Sequence, residues 1–302
     1  MTKGSPVVPT TSHRDSAWQY GSLAGIRYGL RGRDRVKTQD EGDDPGNDQD
    51  HPSLVLLHEM GGQIESWSDM AAMLDSRFRM LAYDQRSVGM EEHADDLGRL
   101  VNSVGLSKPY WLIAAAAGAG IALVHAARHP HCVAGLVLCA AAIEVDDKRR
   151  AYLENRAVIA LRDGMAAVVD SSLSRSYPTV VQRDAAAFAS YRERMLASSP
   201  EAYASANRLL ANMALDEVIA SVQCPCLVMA GTHDVMRPPA DLRRLANALV
   251  NAQGVEFVEI DSGHLMAVQT PAEVAQLASQ FIARHEHRHL HRHIPSSRGL
   301  PV

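Results

Sequence analysis

Trp111-Leu-Ile-Ala-Ala-Ala-Ala-Gly-Ala-Gly-Ile-Ala-Leu123 decides how the rest of this chain is read. Tyr110 to Ile113 is a short apolar run of the kind that forms a buried strand. Ala114 to Gly118 is a succession of small side chains that suits a tight turn. Gly118 to Arg128 then runs on as a helix. A strand that feeds a helix through so small a turn belongs to a parallel sheet packed between helices.

Working outward, the same unit repeats. Ser53-Leu-Val-Leu-Leu57 is a continuous apolar run, which fits a strand covered on both faces. It ends in His58-Glu-Met-Gly-Gly62. Ile64 to Leu74 reads as a helix with Trp67, Met70, Ala71 and Leu74 on one face. Arg79 to Tyr83 is the next strand and Ala94 to Val104 the next helix, striped by Leu97, Leu100, Val101 and Val104. Val133 to Leu138 is a further strand, and Ala17 to Arg31 suits an opening hairpin that turns at Gly25. The alternation then breaks. Asp146 to Val222 is almost all helical, alanine-rich, and broken near Ser176-Tyr-Pro178 and Ser198-Ser-Pro200. It resumes with a strand at Cys226–Ala230, a helix near Asp241–Leu249, a strand at Glu256–Ile260 and a helix from Pro271 to Ala283.

The expected fold is therefore α/β: a mainly parallel, doubly covered sheet with a helical cap inserted after the strand ending near Leu138. The core takes residues 16–143 and 221–284, and the cap takes 144–220. Residues 1–15 read as a disordered tail and 33–52 as an acidic surface loop that has little apolar area to bury. That loop lacks the ligand spacing of a calcium-binding loop. Residues 285–302 hold five of the 14 histidines and read as a disordered His-rich tail.

The totals bound the function. A chain of 302 residues that is 46% hydrophobic can bury a large core. A net charge of −5 argues against nucleic acid as a partner. No apolar run reaches the roughly 18 residues of a membrane span, and the N-terminus lacks the apolar stretch of a signal peptide. Cytoplasmic residence is the default. Cys132, Cys139, Cys224 and Cys226 read as reduced thiols, because a single C-x-C pair falls short of a zinc site. No metal and no cofactor are expected. The expected partner is a small-molecule substrate; oligomeric state is left open.

Ligands of an open parallel sheet bind at the carboxyl ends of its strands, and three turns there carry chemistry. His264, in Asp261-Ser-Gly-His-Leu-Met266, is placed as a general base, since imidazole titrates near working pH. Asp234, in Gly231-Thr-His-Asp234, can hold the tautomer of such a base and stabilise its cation. His233, beside it, reads as structural. In the turn after the 53–57 strand, the N–H of Met60 can pair with that of Ala117, at the helix start, to bind a developing oxyanion. Each residue has a plainer alternative as a loop cap or an ordinary turn. The order turn, Asp, His with one strand between the last two is more specific than any of them alone.

From about residue 17 to 283 the chain resembles the α/β-hydrolase superfamily, most closely its 3-oxoadipate enol-lactonase-like group. The likeness rests on His58-Glu-Met-Gly-Gly62, Tyr83-Asp-Gln-Arg86, Asp95-Asp-Leu97, the small-residue turn with Ala127-Arg-His-Pro130, Asp163-Gly-Met-Ala-Ala167, Gly231-Thr-His-Asp234 with Pro238-Pro239, and Ser262-Gly-His264. It implies Asp234 as acid, His264 as base, and Met60 and Ala117 as oxyanion donors. The family frame G-x-S-x-G reads here as Ala114-Ala115-Ala116-Ala117-Gly118. Ala116 thus stands at the nucleophile position, and alanine has no atom that can attack a carbonyl. Glu59 replaces the glycine that usually follows the turn histidine, adding a carboxylate that can act as acid or base, bind a cation, or face solvent. Gln63, Trp67 and Arg86 are weaker candidates to shape the pocket, with Met165, Tyr177, Met195 and Met213 from the cap. The expected activity is on a small carbonyl compound (a lactone, ester or ring-cleavage product), with the His–Asp pair and oxyanion donors working without a serine. The alternatives are a ligand-binding protein without turnover, and a serine hydrolase whose serine has been changed to alanine.

Overall fold

The structure, a computed structural model, describes residues 17–32, 52–74, 78–142 and 145–292, with side chains described up to residue 286. The expected N-terminal tail, most of the acidic loop and the end of the His-rich tail lie outside the described residues. The hairpin strands are β1 (Gln19–Leu23) and β2 (Ile26–Arg31), joined at Ala24-Gly25, both with positive φ. They lead into β3 (Ser53–Leu57), a 3-10 turn (Ile64–Trp67), α1 (Ser68–Met73), β4 (Arg79–Tyr83), α2 (Met90–Ser103), β5 (Tyr110–Ala115), α3 (Ala117–Arg128) and β6 (Val133–Cys139). The chain then runs through α4 (Asp147–Asp163), α5 (Ala166–Ser176), α6 (Ala185–Leu196), α7 (Pro200–Ala211) and α8 (Asp216–Ser221). It returns as β7 (Cys226–Gly231), α9 (Pro239–Ala248), β8 (Val255–Ile260), α10 (Met266–Gln269) and α11 (Pro271–Arg292).

The strands form one sheet in the order β1-β2-β4-β3-β5-β6-β7-β8. β1 and β2 pair antiparallel, β2 joins β4 antiparallel, and every later pairing is parallel. Period-two alternation explains why β3 is apolar at every position but its first. Val55 and Leu57 pack with the α2, α3, α8 and α9 side chains, whereas Leu54 and Leu56 pack with those of α1, α10 and α11. Trp111, on the second face, meets Phe281 edge-on at 5.7 Å. A Cβ at residue 135 of the neighbouring strand would lie 2.2 Å from the Trp111 ring, so only glycine leaves it room.

The helical insertion starts on strong local signals. The Asp146 carboxylate caps α4, Asp184 caps α6, and Ser199 caps α7 with Pro200 in the first turn. It has an apolar centre of its own, including Met165, Val168, Tyr191 and Tyr203, which closes on Leu265 and Val268 of the core.

Two expectations are corrected. The predicted helix over Ile64–Leu74 is a 3-10 turn followed by a short α-helix. The His-rich segment is not a tail from residue 285: α11 runs on to Arg292, and His285 is buried against Phe281 and Trp111, with ring centroids 4.6 and 6.4 Å away. A histidine at this spacing continues the α11 face set by Ala278, Phe281 and Ile282, which composition alone conceals.

Candidate active site

The turn after β5 is the floor. Ala116 holds φ 45° and ψ −108°, a conformation that side-chain-bearing residues rarely adopt. Its N–H donates to the Cys139 carbonyl at 2.9 Å. Its own carbonyl accepts from Ala119 N at 3.2 Å and Ala142 N at 3.1 Å. Carbonyl and N–H point opposite ways across a trans peptide. Fixing the Ala116 carbonyl therefore turns the Ala117 N–H the other way, at the N-terminus of α3. The helix lies close against β3 because residue 118 is glycine; a Cβ there would sit 2.4 Å from the Leu57 carbonyl oxygen.

The turn after β3 uses the same device. The Glu59 carbonyl accepts from His58 Nδ1 at 2.7 Å and from Gly62 N at 3.0 Å. His58 Nε2 accepts from Gln85 N at 3.1 Å, so the proton sits on Nδ1. The Met60 N–H is thereby directed away from these partners. Among the described residues, neither Met60 N nor Ala117 N donates to a backbone carbonyl.

The ends of β7 and β8 supply the other side. His264 Nδ1 lies 2.8 Å from Asp234 Oδ2, and the Asp234 side chain is fully buried. Asp234 Oδ1 accepts from Met236 N at 2.8 Å and Arg237 N at 2.9 Å. The carboxylate is thus pinned by its own turn and in turn orients the imidazole. That leaves Nε2 as the ring nitrogen for a ligand. His233 instead bonds Asp261 at the surface, at 2.9 Å.

Ala116, Ala117, Met60, Glu59 and His264 all line one pocket that opens to solvent. The helical insertion contributes Arg149, Tyr152, Arg175, Tyr191, Met195 and Tyr203 to it. Glu59 does not face solvent: it is buried, and its Oε1 accepts from Ser66 Oγ at 3.0 Å and from the Tyr191 hydroxyl at 2.8 Å. Burial and the facing Glu59 carboxylate push the Tyr191 phenol well above its ordinary range, keeping it a donor.

Gln63 and Trp67 do not belong here. Gln63 lies outside the cavity wall and begins the 3-10 turn, while Trp67 points into the core with Ile64 and Met70. Of the four insertion residues expected from the sequence, only Met195 lines the cavity; Met165, Tyr177 and Met213 pack in apolar cores. Arg86 lines a neighbouring cavity instead. The sequence reading missed the tyrosines and arginines of α4 to α7. It also missed Ser172 and Ser176, which line the cavity but are engaged elsewhere. Ser172 Oγ lies 3.1 Å from the Tyr203 hydroxyl, and Ser176 Oγ donates to Ser172 O at 3.1 Å. Their signal was proximity to the Tyr177-Pro178 break, where the insertion returns to the core.

A mainly parallel eight-stranded sheet, a strained turn after β5 and an Asp–His pair on the ends of β7 and β8 define an α/β-hydrolase. More specifically, the chain belongs to the family described as serine aminopeptidase, S33, whose model matches residues 49–263. It is 26% identical over 227 residues to a protein named "Putative carbamate hydrolase RutD" of Caulobacter sp. (strain K31), covering 68% of this chain and 82% of that one. It is 25% identical over 244 residues to 3-oxoadipate enol-lactonase 1 of Acinetobacter baylyi, covering 76% of this chain and 88% of the relative. The crystal structure of the enol-lactonase from Burkholderia xenovorans LB400 shares the fold, with TM-score 0.76 at 23% identity, over 88% of this chain and 100% of that one.

Proposed function

We propose that this α/β-hydrolase family protein acts on a small carbonyl compound, a lactone, ester or ring-cleavage product, without forming a covalent acyl intermediate. His264 is the general base. It removes a proton from water or from the substrate through Nε2, while Asp234 fixes its tautomer and stabilises the resulting cation. The N–H groups of Met60 and Ala117 stabilise the charge that develops on the carbonyl oxygen. Ala116 stands at the nucleophile position and leaves space beside the carbonyl for water. The observation that carries this reading is the buried His264–Asp234 pair, 2.8 Å apart, on a cavity floored by alanine. The relatives named carbamate hydrolase and enol-lactonase support the substrate class.

The test compares native protein, His264→Ala and Ala116→Ser on one panel of esters, lactones and diketones. The native protein turns over at least one class, and His264→Ala lowers that rate by about 10³-fold or more. Ala116→Ser slows the native reaction and gains a burst with an activated ester. Unchanged turnover in His264→Ala would overturn the proposal. The alanine at position 116 also favours a second reading, a binding protein on the same scaffold. Saturable ligand binding with no product after long incubation selects it.

A further inference from the structure

Glu59 carries a carboxylate oxygen that neither the fold nor the His264–Asp234 pair uses. The residue is 3% exposed, and its side chain is fitted from three places. Ser66 of the 3-10 turn and Tyr191 of α6 both donate to Oε1, at 3.0 and 2.8 Å. Residue 62 is glycine, where a Cβ would lie 2.5 Å from that same oxygen. Oε2 is different. It accepts from none of the described residues, yet it is not sealed among side chains, and Glu59 lines the candidate active-site pocket. Oε2 therefore opens onto that pocket. Three arginines line the pocket too, but among the described residues no cation pairs with Glu59. Arg149 is held by Asp241 at 2.9 Å, and Arg175 lies over the Tyr152 ring, 4.8 Å from its centroid. A carboxylate taken out of water with no cation beside it is costly. Each carboxylate oxygen can accept about two hydrogen bonds; Oε1 has both, and Oε2 faces the ligand space with none. Glu59 also directly precedes Met60, whose N–H is placed for a developing oxyanion. An uncompensated carboxylate there opposes that charge, and a donor on the ligand offsets it.

We infer that Glu59 is a specificity-determining residue: its Oε2 accepts a hydrogen bond from the ligand, so the pocket selects carbonyl compounds that carry a donor group near the carbonyl. The donor is a hydroxyl or a protonated amine, and both satisfy the same oxygen. A site built to bond such a group discriminates against an analogue without it more sharply than an apolar wall discriminates by size. The inference rests on the proposed function only in taking this pocket as the place where a carbonyl compound binds.

Calorimetric titration of the intact protein tests this with ketones, which have no bond to hydrolyse. The probes are hydroxyacetone and 4-hydroxybutan-2-one, the methyl ether of each, and aminoacetone. The native protein binds at least one donor-bearing ketone about ten-fold or more tightly than the matching ether. In Glu59→Gln the Ser66 and Tyr191 hydroxyls hold the amide oxygen, and the amide NH₂ takes the place of Oε2. A donor then faces the pocket in place of an acceptor, and the preference falls to within about two-fold or inverts in favour of the ether. The variant keeps the shape of the side chain, so differences in probe size cancel between the two proteins. Hydroxyacetone and aminoacetone separate the two donors: whichever loses more affinity in Glu59→Gln names the group. Absence of saturable binding, equal affinity of the native protein for alcohol and ether, or a preference that survives in Glu59→Gln each overturns the inference. The native comparison alone decides if the variant does not fold. A protein that shows the Glu59-dependent preference and turns nothing over refutes the proposed function alone, whereas one that turns over esters without that preference refutes this inference alone.

Discussion

Ala116 keeps a backbone conformation that costs about 1–3 kcal/mol for a residue with a side chain, although nothing on its methyl group can react. Hydrogen bonds to Cys139, Ala119 and Ala142 maintain it, and they also aim the Ala117 N–H. The strain therefore has a consequence for the site that does not depend on a serine. Asp234 offers the sharpest test at this scale. In Asp234→Asn the remaining oxygen still accepts from the Met236 and Arg237 N–H groups. The new amide then faces His264 Nδ1 with a donor and forces the wrong tautomer. Steady-state kinetics on any substrate found should show kcat down on the order of 10⁴-fold, with KM moved less than three-fold. A loss confined to KM would make Asp234 a binding residue. His264, Asp234, Met60 and Ala117 were legible in the sequence because each immediately follows an apolar run, where a parallel sheet must present its strand ends. Tyr191 and Tyr203 were not, because periodicity shows which residues share a helix face but not which strand end that face covers. Trp67 misled for a related reason: its large apolar surface finds the core before it finds a cavity.

At the scale of elements, α3 is set by its close approach to β3. Gly118→Ala would drive a methyl group into the Leu57 and His58 carbonyl oxygens, 2.4 and 2.7 Å from its ideal position. Overpacking of this kind costs about 1–3 kcal/mol. Urea unfolding should show a lowered midpoint, and turnover should fall as well, because the helix start carries the Ala117 N–H. A stable but inactive variant would show that the start had moved without loss of packing. The other end of α3 is tied by His125, which contacts the Tyr110 hydroxyl at 2.6 Å and the Ala94 carbonyl at 3.0 Å, joining β5, α3 and α2. Burial lowers the His125 pKa to about 4, so the folded protein holds this imidazole neutral while the unfolded chain protonates near pH 6.5. Between those values the unfolded state binds more protons, and stability falls as pH falls. The contribution is fully present above about pH 6.5, and roughly 3 kcal/mol is lost by pH 4. His125→Gln should flatten the dependence of unfolding free energy on pH over that window. Equal slopes in the two proteins would place the acid lability elsewhere, His93 being the next candidate because burial depresses it to about 4 as well. The strands were legible to within two residues because buried parallel strands are continuous apolar runs. The start of α2 was not: its first turn, Met90-Glu-Glu-His93, is polar and is entered through Gly89 with no side-chain cap.

At the scale of the whole molecule, the cavity has two walls of different origin. Strand ends provide the floor, and α4 to α7 provide the far side, with the Tyr191–Glu59 hydrogen bond joining the two next to the Met60 peptide. The sequence showed that a helical insertion interrupts the alternation. It did not show how that insertion meets the core, since the contacts join residues 132 positions apart. The other face of the sheet is closed by α11, which also reaches beyond its expected end. Ala278, Phe281 and Ile282 are buried there, and His285 continues the line against Trp111, on the strand that leads into the Ala116 turn. Removing residues from 285 onward should therefore uncover one side of Trp111 and lower the melting temperature by several degrees, roughly the effect of 1 kcal/mol or more on a domain of this size. Ending the chain after residue 292 should leave the melting temperature unchanged. If both truncations melt with the full chain, the packing of His285 contributes nothing and the His-rich segment is an appendage after all. If only the shorter one is destabilised, the last turns of α11 belong to the structural support of the strand beneath the candidate site.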